Sequence, residues 1–155
     1  MVRVLLVANE TLGSLEMAEF VKSRMADAGC RFTLLVPATP RRGKGDPPGW
    51  LALGAAELPS LATTALSGVT EDDYAHARSR LAYGLGLLRS WGAAGDGEVG
   101  DPDPAKAIKE VLTREHFDEV ALSTLPPAVS RWLLLDIPHQ VQRKFHLPVT
   151  VIKMR

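Results

Sequence analysis

The chain has 155 residues, 46% hydrophobic and 23% charged, and its 18 lysines and arginines are balanced by 18 aspartates and glutamates. Zero net charge gives no general electrostatic drive toward nucleic acid or an anionic membrane surface. A single cysteine, Cys30, excludes an intrachain disulfide and a multi-cysteine zinc site, and fits a cytoplasmic location.

The length suits one domain spanning residues 1–155, long enough to bury about two-thirds of its unfolded surface. No apolar run approaches the roughly 18 residues of a membrane span. The chain begins at once with Val2-Arg3-Val4-Leu5-Leu6-Val7-Ala8, short, rich in β-branched residues and nearly all apolar. That is the pattern of a strand covered on both faces, not of a signal peptide. Polar Asn9-Glu10-Thr11 end it. Met17, Val21, Met25 and Ala28 then recur at helical spacing, and Gly29 stops the helix. Arg31 to Val36 reads as a second strand, with Pro37 as its stop.

Residues 37–70 read as a loop or insertion. Pro37, Pro40, Pro47 and Pro48 alternate there with Gly43, Gly45, Gly49 and the basic Arg41-Arg42-Lys44, which is the composition of a solvated surface loop. The stretch from 50 to 70 is weakly apolar and suits a short helix or an irregular lid equally. A helix follows from Glu71-Asp72-Asp73, acidic in its first turn as the helix dipole favours, with Tyr74, Ala77, Leu81, Leu85 and Leu88 as its buried stripe. Glu98-Val99-Gly100 closes a weak third strand. Asp103 is the expected cap of the next helix, with Pro104 at its first position and Ile108, Val111 and Leu112 on its apolar face. Glu119 to Leu122 is the fourth strand and runs into the small hydroxyls Ser123 and Thr124. In the last helix Asp136 is the expected cap, and Ile137, Val141 and Phe145 share a face. Val149 to Ile152 is the fifth strand, entered through Pro148. Strands alternating with helices predict an α/β fold, a parallel sheet with helices on both faces.

Four local patterns, in this order, resemble the universal stress protein family over nearly the whole chain. Val4 to Thr11 (VLLVANET) is similar to its first strand and turn. Gly100-Asp101-Pro102 with Ala107-Ile108 is similar to the segment after strand three, and Asp118 to Thr124 (DEVALST) to strand four. Ser130-Arg131-Trp132-Leu133 followed by Leu147-Pro148-Val149 is similar to the closing helix entry and strand. The resemblance implies an open five-stranded parallel sheet in the order 3-2-1-4-5, of the universal-stress-protein and adenine-nucleotide-alpha-hydrolase type. It also implies a homodimer formed through the last strand, with Val149 and Val151 at the contact; an apolar strand at a sheet edge invites such pairing.

ATP-binding members of that family carry Gly-x-x-Gly, nine residues, then Gly-Ser or Gly-Thr after strand four. Aligned on Ser130-Arg131, this sequence has Leu122 and Leu125 at the first two glycines and Leu135-Asp136 at the final pair, and Asn9 where binders have an acidic residue. A phosphate cradle needs glycines so that backbone amides can approach the ligand. Leu125, Pro126 and Pro127 make that side apolar, and proline has no amide hydrogen to donate.

A ligand is therefore expected at the carboxyl ends of strands one and four, where the order of an open sheet reverses. Ala8, Asn9, Glu10, Ser123, Thr124 and Ser130 are its candidate contacts, with Val36 and Gly100 lining the side and Gly100 leaving the crevice open. Any such ligand is expected to lack a triphosphate; no cofactor is firmly assigned, and ATP or AMP is possible but disfavoured. No catalytic residue is assigned. Asp136 and His139 with Ser130 suggest a triad, but nothing supplies the strained Gly-x-Ser-x-Gly turn that exposes a nucleophile, so Asp136 is read as a cap and His139 as solvated. His76, His116, His139 and His146 lack metal-ligand spacing. Trp50, Trp91 and Trp132 do not interleave with basic residues as a nucleic-acid surface would. The sequence thus points to a non-enzymatic stress-protein-like module acting through dimer or protein contacts or an unidentified small ligand. The alternative is a nucleotide-binding (AMP or ATP) stress protein with a rebuilt phosphate loop.

Overall fold

The computed structural model describes residues 2–8, 12–27, 29–38, 71–124 and 136–153. Its elements in chain order are β1 (Val2–Val7), α1 (Leu15–Asp27), β2 (Cys30–Pro37), α2 (Glu71–Ser90), β3 (Ala94–Gly100), α3 (Pro104–Arg114), β4 (Glu119–Thr124), α4 (Ile137–Phe145) and β5 (Val149–Lys153). The strands form one parallel sheet in the order β3-β2-β1-β4-β5, as expected. Residues 39–70, most of the predicted loop, lie outside the described residues.

The apolar run of β1 explains its central place. Val4, Leu6 and Ala8 pack on one face with Phe32, Leu34 and Val36 of the β2 segment, Met17 and Val21 of α1, and Ala77 and Leu88 of α2. Leu5 and Val7 pack on the other face with Leu35, Val120 and Leu122, Ile108 and Val111 of α3, and Ile137 and Val141 of α4. Two cores sandwich the sheet, which is why its middle strands show no simple alternation of apolar and polar residues. The chain steps outward from β1 to β3 with α1 and α2 on one face, then returns through α3 to β4 on the other. This is the arrangement right-handed crossovers require, and it leaves β1 and β4 as neighbours from which the chain departs in opposite directions.

Helix starts follow from local chemistry. The Ser14 hydroxyl accepts the Met17 amide at 3.2 Å and opens α1. Asp103, in extended backbone, accepts the Ala105 amide at 3.0 Å and caps α3, with proline at the helix start. Asp136 corrects the corresponding expectation for α4. It stands at the cap position with φ 57°, ψ 36°, and its side chain makes no cap hydrogen bond. Left-handed backbone turns the carboxylate away from the helix amides. It meets His139 Nδ1 at 2.6 Å instead, with Arg143 at 3.9 Å, so His139 is paired and not merely solvated.

The weak third strand is β3, which runs from Ala94 and closes at Glu98-Val99-Gly100 as expected, and its glycines account for its weak strand propensity. A Cβ at Gly97 would lie 2.5 Å from the Leu34 carbonyl oxygen and 2.7 Å from Leu81 Cδ1, so β3 meets the β2 backbone at a distance only glycine permits, with the tip of Leu81 of α2 above it. Two other strand boundaries differ from the sequence reading. Pro37 is the last residue of β2 and not its stop; the next amide, Ala38, donates to the Gly100 carbonyl at 3.0 Å. β4 continues through Ser123 and Thr124, in register with Ile152 and Lys153.

Across the sheet from the carboxyl edge, polar braces tie the elements together. Arg24 of α1 donates to both oxygens of Glu119 at 2.9 and 2.7 Å, and the Thr150 hydroxyl donates to the same carboxylate at 2.7 Å. Asp118 accepts the Arg3 amide at 2.8 Å while its own amide donates to the Arg3 carbonyl. No helix of the described residues is long and apolar enough to cross a membrane.

Candidate functional site

The strand registers place the carboxyl ends of all five strands along one edge of the sheet: Val7 lies beside Leu35 on one side and Leu122 on the other, Pro37 beside Gly100, and Leu122 beside Val151. Sequence order reverses between β1 and β4, so the mouth of the sheet lies beside Ala8, the residue after β1, and Ser123, the next-to-last residue of β4. Ala8 and Val36 have no exposed surface, and Ser123 retains 2%. Ala8 and Val36 belong to the core on the α1 and α2 side. Ser123 alternates with Ala121, a member of that same core, so it shares their face.

The structure therefore brings three of the predicted contacts, Ala8, Val36 and Ser123, to one face of one edge. It separates Gly100 from them. A Cβ at Gly100 would lie 2.8 Å from Ala107 Cβ of α3 and 2.8 Å from Leu35 Cδ1. The missing side chain makes room for α3 on the opposite face of the sheet, which corrects the expectation that glycine here keeps the crevice open. Thr124 ends β4 beside Lys153. Asn9, Glu10 and Ser130 lie outside the described residues, as do Leu125, Pro126, Pro127 and Trp132.

Chemically the described part of this edge is poor. It offers the Ser123 hydroxyl and apolar surface, with no charge on Ala8, Val36, Ser123 or Thr124; Lys153 ends β5 beside Thr124. Further charges follow β3. Asp101 accepts the Asp103 amide at 2.9 Å and pairs with Lys106 at 3.3 Å, and hydrogen bonding to that carboxylate raises the Lys106 pKa. Sequence reasoning passed over Lys106; its spacing from Asp101, across the capped start of α3, was the available signal. No metal-binding group of histidine, cysteine and carboxylate side chains occurs among the described residues. The gap lined by Leu6, Leu12, Met17, Leu34 and Gly84 beneath α2 is apolar and leaves no space for a water molecule. The Asp136–His139 pair is half-exposed or more at the start of α4, and no nucleophile among the described residues is bonded to it.

The fold is that of the universal stress proteins. The chain superposes on the universal stress protein from Archaeoglobus fulgidus with a TM-score of 0.61 at 13% identity, covering 99% of this chain and 94% of that one. The same protein in complex with dAMP matches at 0.61 and 12%, covering 99% and 98%. A universal stress protein family protein from Arabidopsis thaliana with AMP bound matches at 0.59 and 12%, covering 100% and 93%. No protein-family model matches the chain, and no curated protein matches it by sequence. At such identities the likeness is one of fold.

Proposed function

We propose that this chain is a universal-stress-protein-like module without chemistry of its own, acting through contacts with a second copy or another protein, or with a small ligand that lacks a triphosphate. One observation carries this reading: Ala8, Val36 and Ser123, at the mouth where an open α/β sheet binds its ligand, are buried and bring no charge to it. A triphosphate needs donors and positive charge there. The proposed contacts remain Ala8, Asn9, Glu10, Val36, Ser123, Thr124 and Ser130, with Gly100 contributing backbone only. A cytoplasmic location belongs to the same proposal and is supported by the single cysteine.

A second reading, nucleotide binding through a rebuilt loop, is favoured by the AMP and dAMP complexes of two structures of the same fold. Thermal melts with millimolar AMP and Mg-ATP separate the two. A ligand at a hundred times its dissociation constant adds about 2.7 kcal/mol, and at roughly 2–4 °C per kcal/mol for a chain of this size the shift is easily read. No shift is expected with either nucleotide. A clear shift that Asn9→Ala or Ser123→Ala abolishes would establish the second reading instead.

The homodimer is part of the proposal. β5 is the outermost strand beside β4, and Val149 and Val151 are only half-buried on it. Sedimentation at tens of micromolar, roughly the range in which a real complex stays associated, is expected to give the mass of two chains, and Val151→Lys the mass of one. A single-chain mass for the unmodified protein sinks the dimer.

A further inference from the structure

We draw no further inference here: the strongest candidate, the exposed apolar patch that Leu15 of α1 and Tyr83 of α2 form beside the Gly13 turn, carries nothing because nothing in the structure shows what covers it.

Discussion

Replacing Gly100 with alanine tests whether this glycine serves the packing of α3 or the opening of the mouth. With no close neighbour, alanine in a strand returns about 0.5–1 kcal/mol, because glycine loses more backbone freedom on folding. The structure predicts the opposite sign. The new methyl would sit 2.8 Å from Ala107 Cβ and 2.8 Å from Leu35 Cδ1. The leucine tip can turn aside, but Ala107 is fixed to the helix, so α3 must lift from the sheet. Overpacking of this kind costs about 1–3 kcal/mol, which leaves a net loss on the order of 1–2 kcal/mol after the backbone gain is subtracted.

The double-mutant cycle with Ala107→Gly isolates the contact. Ala107→Gly alone forfeits about 1 kcal/mol of helix propensity and about 0.8 kcal/mol for the buried methyl group. If the two changes were independent, the double variant would lose roughly 3–4 kcal/mol, within the 0.3–0.5 kcal/mol to which distant sites add. Relief of the clash predicts a double variant no worse than Ala107→Gly, hence a coupling of about 1 kcal/mol or more. Urea unfolding with linear extrapolation resolves this difference. A stabilised Gly100→Ala, or an additive cycle, would refute the packing role and return Gly100 to the crevice.

Two further outcomes follow from side chains already placed. Asp103→Ala is expected to cost about 1 kcal/mol in denaturant melts, whereas Asp103→Asn, an equally good cap, stays within a few tenths; equal losses from both would mean that the charge matters and the acceptor geometry does not. The Arg3 amide, and after it His116, holds the Asp118 carboxyl below its ordinary value of 3.8. A depressed folded-state pKa contributes stability that is present above the unfolded value and disappears as pH falls through the folded one. Wild type should therefore lose more stability between about pH 5 and about pH 2.5 than Asp118→Asn, whose amide oxygen still accepts the Arg3 amide. Parallel acid limbs for the two proteins would count against this account.

What could be read from the sequence depended on whether one residue's chemistry was enough to decide the matter. β1 was legible because its apolar run leaves no polar face, and α3 because Asp103-Pro104 combines an acceptor with a preset φ. β3 was legible only as a weak strand closing at Gly100, since Gly95 and Gly97 lower strand propensity while leaving room for the Phe32 and Leu34 carbonyls of β2. Asp136 misled for a related reason. The residue type suits a cap, but capping needs extended backbone, and Asp136 has φ 57°. Gly100 is the sharpest case: a glycine at a strand end reads equally as space for a ligand or space for a helix, and only the position of Ala107 distinguishes them. The same limit governs the mouth itself. Ser123 and Thr124 announce a polar strand end, yet whether a hydroxyl faces a ligand or the core depends on strand alternation against Ala121, and this alternation sets Ser123 on the buried α1 side. A site defined by what its residues cover is legible only once the covering elements are in place.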